Sequence, residues 1–452
     1  MSNTLMISVS GMRGHVGTDL TPELVARHAA ALGTWAREGG KPLVVIGRDS
    51  RTSGAMFAAA TTAGLQSVGC DVIDLGIVAT PTTQLAVEFH HAGAGLMLSA
   101  SHNPVEWNAL KLIGPDGIFL DAAAGGRVRA IAEAGPARMG WDGLGSARQD
   151  PDAIARHLDQ VLALPWIDAE AIRARRFRVA LDCVHGAGGL LIPALLERLG
   201  CQVVGIGLEA DGRFPREPEP IPENLADLGA LVREHRADLG LAVDPDVDRL
   251  AVVDEMGKPI GEDYTLAFAV RAVLGRSAHP AKARVVVNLS TSLVVEDAAR
   301  AHGATLVRTP VGEAHVAAGI LAEKALIGGE GNGGVILPEL HVGRDAPVGV
   351  ALVLQYLTAM GRPVSALITE APQYHIVKAK THRGADLEAA YHRLTDQLSG
   401  AVVDRRDGLR LAWADCWVHV RPSGTEPVIR IIAEAPTEAE AQGLIARCRE
   451  LL

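Results

Sequence analysis

Residues 42–101 contain, in order, PLVVIGRD (42–49), SGAMFAAATTAGLQSVG (53–69), CDVIDLG (70–76), TPTTQLAVEFHHAG (80–93) and AGLMLSAS (94–101). Short apolar runs rich in Val, Ile and Leu alternate with longer segments of helical period. That order is strand, helix, strand, helix, strand, which predicts a mainly parallel sheet covered on both faces.

The same alternation returns twice downstream. FRVALDCVHGAG (177–188), LLIPALLERLG (190–200), CQVVGIGL (201–208), ENLADLGALVREHRADLG (223–240) and LAVDPD (241–246) form a second unit. ARVVVNLST (283–291), LVVEDAARAHG (293–303), ATLVRTP (304–310), AHVAAGILAEK (314–324) and ALIGGEG (325–331) form a third. The three are alike in pattern and not in letters. The last eighty or so residues differ: ADCWVHV (414–420) and VIRIIAEA (428–435) read as neighbouring strands joined by RPSGTEP (421–427). A final helix is predicted from Thr437, with Glu440 completing a capping box. The chain therefore divides into three α/β domains, 1–150, 151–256 and 257–366, and a smaller α+β domain, 367–452.

The 452 residues exceed one ordinary core, and at about 100–200 residues per domain they call for three or four. A net charge of -10 with acid and base interspersed argues against nucleic-acid or anionic-membrane partners. Positive charge must then be concentrated at specific sites. Cys70, Cys183, Cys201, Cys416 and Cys448 are scattered with no C-x-x-C pair, which fits free thiols in a reducing compartment. No apolar run reaches the ~18 residues needed to span a bilayer, and no basic-then-apolar leader opens the chain. A cytoplasmic protein is expected.

Four loops carry chemistry. In LSASHNPVEWNALKLIGPDG (98–117) a strand gives way to a polar loop holding Ser101, His102 and Asn103, followed by a hairpin around Pro115, Asp116 and Gly117. Ser101 can act as a nucleophile there, although Ser and Asn are also ordinary turn formers. Ser99 and Asn103 stand in the glycine places of G-x-S-x-G, so a hydrolase elbow is not indicated. In LAVDPDVDRLAVVDEMGK (241–258), Asp244, Asp246 and Asp248 alternate after a buried strand. Crowded carboxylates repel unless a cation neutralises them, and oxygen donors without His or Cys select a hard ion such as Mg²⁺. Glu255 falls at position 12 of an EF-hand counted from Asp244, yet Arg249 holds the glycine position and the flanks read as strands. A solvated acidic turn is the plainer alternative.

ALIGGEGNGGVILPE (325–339) satisfies G-x-G-x-x-G from Gly329 to Gly334, but a strand follows it, whereas a dinucleotide fingerprint requires a helix. Glu330 and Asn332 suit sugar hydroxyls; otherwise the segment is a flexible turn. In RPSGTEPVIR (421–430), Arg421, Ser423, Gly424 and Thr425 could wrap a phosphate dianion. Alternatively Arg421 pairs with Glu426 or Glu434 on the surface.

Together and in this order, SASHNP (99–104), DPDVDR (244–249), GEGNGG (329–334) and RPSGTEP (421–427) resemble the α-D-phosphohexomutase family, which includes phosphoglucomutases, phosphomannomutases and phosphoglucosamine mutases. The resemblance covers nearly the whole chain. SGMRG (10–14), with Arg13, is similar to the family's entry motif, and Lys111 in NALK (108–111) matches its lysine downstream of the serine. The resemblance implies four domains around a central cleft, the last related to the TATA-box-binding-protein fold. It implies that phosphoserine 101 exchanges its phosphoryl group with the 1- and 6-positions of a hexose through a 1,6-bisphosphate intermediate. Mg²⁺ would be held by Asp244, Asp246, Asp248 and the phosphorylated Ser101. Arg13, Lys111 and Arg249 would supply positive charge, and Lys111 or His102 would carry the proton. Glu330 and Asn332 would meet the sugar, and Arg421, Ser423, Gly424 and Thr425 its second phosphate.

Many relatives carry Ser where Asn332 stands and His where Gly334 stands. GEGNGGV is similar to the loop of the archaeal-type phosphoglucosamine mutases, which points to glucosamine 6-phosphate, with glucose and mannose phosphates as the other candidates. Small-molecule sugar phosphates are thus the expected partners, and a homodimer is compatible with the resemblance. A metal-dependent sugar phosphatase would use the same serine and aspartates but would not need the second phosphate loop. A non-catalytic sugar-phosphate binder would not need Ser101.

Overall fold

The structure, a computed structural model, describes residues 5–8, 11–382, 386–423 and 428–452. The stretch that decides the first domain folds as the alternation demands: β3 (Leu43–Arg48), α2 (Gly54–Gln66), β4 (Asp71–Ile77), α3 (Thr80–Phe89) and β5 (Ala94–Leu98). Around it lie β1 (Met6–Ser8), β2 (Gly11–His15), α1 (Pro22–Glu38), β6 (Trp107–Ile113), α4 (Ala122–Ala134) and β7 (Ala147–Gln149). The seven strands are ordered β1-β2-β6-β5-β3-β4-β7. β5, β3, β4 and β7 run parallel, as the crossovers require, while β6, β2 and β1 add antiparallel pairs that make the sheet mixed. Strand alternation splits the side chains: Val44 and Ile46 join the core under α1, α2 and α4, and Val45 joins the one under α3. Each fully buried side chain of this size stabilises the fold by about 1.5–3 kcal/mol relative to exposure.

The second domain holds α5 (Ala153–Leu162), α6 (Ala169–Arg175), β8 (Arg178–Asp182), α7 (Gly188–Arg198), β9 (Gln202–Ile206), α8 (Ala226–His235), β10 (Leu239–Val243) and β11 (Leu250–Val253), with sheet order β11-β10-β8-β9. The third holds α9 (Glu262–Arg276), β12 (Arg284–Asn288), α10 (Leu293–Arg300), β13 (Thr305–Thr309), α11 (Glu313–Glu323), β14 (Ile327–Glu330), β15 (Gly334–Ile336), α12 (Ala346–Met360) and α13 (Val364–Glu370), ordered β13-β12-β14-β15. In both, one antiparallel strand closes an otherwise parallel sheet. One continuous apolar core runs through the two domains, with α12 as its spine against α9, α5, α6 and α7.

The fourth domain is an antiparallel sheet ordered β16-β20-β19-β18-β17, backed by helices. Its members are β16 (His375–His382), α14 (Leu387–Gln397), β17 (Val402–Asp404), β18 (Leu409–Ala412), β19 (Trp417–Pro422), β20 (Val428–Ala435) and α15 (Glu438–Leu451). α15 begins at Thr437 with the capping box to Glu440 in place, a device worth about 1 kcal/mol. All five cysteines are free, and burial raises the thiol of Cys183 far above its ordinary value. Among the described residues no single helix is long and apolar enough to cross a membrane; α12 and α13 pass only as a pair bent by 80°.

Candidate active site

Sheet register gathers the first residues of the site. In the order β2-β6-β5, Gly11 lies opposite Lys111, Arg13 opposite Ala109, and Lys111 opposite Met97. Arg13 and Lys111 therefore sit beside the end of β5, where the chain turns into the serine loop. Ser101 takes a left-handed conformation, φ 51°, and is 3% exposed. The turn is braced from below: Ser101 N–H donates to Ser99 Oγ at 2.9 Å, and Ser99 Oγ donates to Asp49 at 2.6 Å. Arg51, buried beside Asp49, donates to the carbonyls of Ser101, Asn103, Pro104 and Trp107 at 2.6–2.9 Å.

The turn between β10 and β11 brings the aspartates to that serine. Ser101 Oγ donates to Asp244 Oδ2 at 2.9 Å, while Asp244 Oδ1 accepts the backbone N–H groups of Asp248 and Arg249 at 3.1 and 3.2 Å. Asp246 Oδ2 accepts from Lys111 Nζ and from Thr80 Oγ1, both at 2.5 Å. Asp248 Oδ2 accepts from Arg344 at 2.6 Å. All three carboxylates are buried, and one oxygen from each lies within 4.8 Å of the others. Among the described residues nothing donates a hydrogen bond to Asp246 Oδ1 or Asp248 Oδ1. Two buried carboxylate oxygens without donors cost free energy that a hard cation would remove, so the residues fit Mg²⁺.

Electrostatics set the charge states around the triad. Burial, with Asp248 and Asp246 alongside, pushes the Asp244 carboxyl well above its ordinary range. At Asp246 burial is outweighed by the Lys111 charge and the Lys111 and Thr80 hydrogen bonds, so its carboxyl is held well below that range. Lys111 is raised in turn: Asp246 and Asp248 overcome its burial and keep it an ammonium. Burial and the charges of Arg249, Arg13 and Arg344 drive His102 well below its ordinary value, so its ring is neutral. His102 Nδ1 lies 3.3 Å from Ser101 Oγ. Arg13 donates to Asn103 Oδ1 at 2.6 Å, and Arg249 to Glu219 at 2.9 Å.

The sugar loop lies against the metal loop: Leu250 N–H donates to Gly333 O at 3.0 Å. Glu330 accepts from Asn288 at 2.9 Å and from Arg344 at 3.0 Å, and Asn332 Nδ2 lies 3.5 Å from it. Arg421 is carried by β19 with its Nε 3.0 Å from Asp407 Oδ2, and Ser423 N–H donates to Val428 O at 2.8 Å. Gly424, Thr425 and Glu426 lie outside the described residues. The pairing of Arg421 with Glu434 is corrected by the register: Glu434 lies opposite Trp417, whereas Arg421 lies opposite Arg430. Glu434 is fully buried and caps α10 instead, accepting from Leu293 N–H at 2.8 Å and from Ser292.

Arg51, Thr80 and Arg344 were not indicated by any motif. A cavity of about 380 Å³ where the second, third and fourth domains meet is lined by Glu223, Glu262, Asp263, Lys378 and Glu434. Its carboxylates do not suit a phosphate dianion.

A serine-bearing turn, a triad of cation-seeking carboxylates and a group of arginines and lysine, brought together where the first three domains meet, define an enzyme of phosphoryl transfer. Comparison with known proteins gives the family. Profiles described as phosphoglucomutase/phosphomannomutase alpha/beta/alpha domains I, II and III match residues 5–138, 155–257 and 261–374, and the C-terminal domain profile matches 376–451. A protein of Methanopyrus kandleri named "Probable phosphoglucosamine mutase" is 39% identical over 96% of this chain and 95% of its own length. A "Phosphoglucomutase/phosphomannomutase" of Thermococcus kodakarensis is also 39% identical, over 96% and 95%. Among solved structures, a phosphoglucomutase/phosphomannomutase family protein of Burkholderia thailandensis superposes with a TM-score of 0.86 at 27% identity, covering 99% of this chain and 98% of that one. The chain belongs to the α-D-phosphohexomutase family and is an intramolecular phosphotransferase.

Proposed function

We propose that this enzyme interconverts glucosamine 6-phosphate and glucosamine 1-phosphate through a phosphorylated Ser101 and a bound 1,6-bisphosphate, with Mg²⁺. The observation that carries the route is the Ser101 Oγ to Asp244 Oδ2 contact of 2.9 Å beside two aspartate oxygens with no donor among the described residues. The sugar assignment rests on the "Probable phosphoglucosamine mutase" relatives, at 33–39% identity. An Aspergillus fumigatus structure titled as an N-acetylphosphoglucosamine mutase with GlcNAc-6P and magnesium shares the fold, with a TM-score of 0.58 at 16% identity.

In the first half-reaction a hexose hydroxyl attacks the phosphorus of phosphoserine 101; the new P–O bond forms as the bond to Ser101 Oγ breaks. The hydroxyl proton leaves to a base, and Ser101 Oγ regains one. Neutral His102, 3.3 Å from Oγ, suits that exchange, whereas Lys111 is held charged by Asp246 and serves electrostatically. Arg13 and Arg249 complete the positive wall around the transferring group. Asp244, Asp246, Asp248 and the phosphoserine would hold Mg²⁺, which would neutralise charge on the transferring phosphoryl group. The bisphosphate then turns over, gripped at its far phosphate by Arg421, Ser423, Gly424 and Thr425 while Glu330 and Asn332 hold the hydroxyls, and returns the other phosphate to Ser101. On this reading the enzyme acts in the cytoplasm on free sugar phosphates, and a homodimer is compatible with it.

A phosphomannomutase or phosphoglucomutase is the second reading, favoured by the name of the Thermococcus relative. A coupled assay on glucosamine 1-, glucose 1- and mannose 1-phosphate, with Mg²⁺ and a trace of hexose 1,6-bisphosphate, tests both. The highest kcat/KM is expected for the glucosamine phosphate, with activity lost in Ser101→Ala. Release of inorganic phosphate without isomerisation would instead establish a phosphatase.

A further inference from the structure

Arg344 touches both halves of the site. Its Nη2 donates to Asp248 at 2.6 Å, its Nη1 donates to Glu330 at 3.0 Å, and its Nε lies 3.1 Å from Glu313 Oε2. Glu313 also accepts the Arg344 backbone N–H at 3.1 Å. Asp248, Glu313 and Glu330 thus set three carboxylates around the guanidinium. The next residue is pinned as well: Asp345 accepts from Val348 N–H at 2.9 Å and shares hydrogen bonds with His157 and His341 at 2.8 and 3.0 Å.

Space for this side chain is made by Gly334. A Cβ there would lie 2.3 Å from Arg344 Cδ and 2.9 Å from its Cγ, far inside contact distance. The aliphatic part of Arg344 therefore occupies the place a side chain at 334 would take.

We propose that Arg344, admitted by Gly334, is a positioning residue that registers the sugar loop to the metal loop. It acts through Glu330 and Asp248 and need not touch the reacting atoms. A planar fork can hold two carboxylates in fixed relative orientation, which a lysine cannot. The inference deepens the assignment of Glu330 and the aspartates above and rests on it. It carries a distinctive sign. Arg344 is a cation beside the aspartate triad, so removing its charge makes that triad a better seat for a divalent ion; removing its fork releases Glu330 and weakens the hold on the sugar.

The test uses the full-length, unphosphorylated protein without turnover. Mn²⁺ binding is followed by the EPR signal of the free ion, and binding of glucosamine 6-phosphate and glucose 6-phosphate by calorimetry in chelated buffer. Arg344→Met should bind Mn²⁺ several-fold more tightly and the better sugar phosphate at least ~10-fold more weakly. Arg344→Lys should keep the wild-type Mn²⁺ affinity and share the sugar defect. Gly334→Ala, which needs no unusual backbone, should reproduce that defect by displacing Arg344. A variant that merely loosens the fold weakens both ligands together, and that result, or unchanged sugar affinity in folded Arg344→Met, would overturn the proposal. Wild-type protein that binds neither probe would remove the site assignment itself, and the proposal with it.

Discussion

Arg51 donates to four carbonyl oxygens of the serine loop while pairing with Asp49, so the left-handed turn at Ser101 is held from behind by a residue 50 positions earlier. A lysine offers no such fork. Arg51→Lys is expected to lower kcat by ~10-fold or more and to lower the thermal midpoint, both measured on the same preparation. Asp246 has a different task, since Lys111 and Thr80 meet on its Oδ2 and leave Oδ1 open. Asp246→Asn should reduce Mg²⁺-supported turnover by more than ~10-fold, and an unaltered Mg²⁺ dependence would count against the metal assignment. Ser101 and the three aspartates were legible because each lies in a short string whose chemistry is local. Arg51, Thr80 and Arg344 were not, because their partners lie 50, 166 and 96 positions away and no local pattern marks them.

At the scale of elements, β19 and β20 show how far two strands and the segment between them can be read from the letters. Two strands joined by a polar turn are visible in the letters; which residues face each other across them depends on register, and that decided against Arg421 with Glu434. The crossover helices of the first three domains were legible from their period. α12 carries no such signal, because it is apolar nearly all round and buried along most of its length. Another junction lies on β19. His419 shares hydrogen bonds with Ser290 of the third domain at 2.8 Å and with Asp407 O at 2.6 Å, and burial brings its pKa down to about 4 from 6.5. Its neutral form is thus favoured in the fold. The stability it contributes is present above pH 6.5 and is lost as the pH falls towards about 4. Protection factors of the β19 amides, referenced to the intrinsic exchange rate at each pH, should fall as pH drops through that window, and His419→Gln should flatten the dependence.

Across the whole molecule, a net charge of -10 coexists with a site walled by Arg13, Lys111, Arg249 and Arg344, because the negative charge is spread and the positive charge is gathered. The cavity between the second, third and fourth domains shows the opposite concentration. There Asp263 accepts Ser292 N–H at 2.9 Å, and burial pushes its carboxyl up to about 8 from 3.8. A folded-state value above the unfolded one means that this group's contribution is complete below pH 3.8 and is lost as pH rises through about 8. The thermal midpoint should therefore fall over that range in wild type and fall less in Asp263→Asn, as scanning calorimetry would record.

The 96 positions between Asp248 and Arg344 also have a meaning in time. A ribosome adding about 5–20 residues per second needs roughly 5 to 20 seconds to cross that interval. Throughout it the nascent chain already carries the nucleophile and all three aspartates but lacks the arginine that ties the metal loop to the sugar loop. The serine and the aspartates are thus made early and brought into alignment late, once Arg344 and the helix that follows it, the spine of the shared core, have been added.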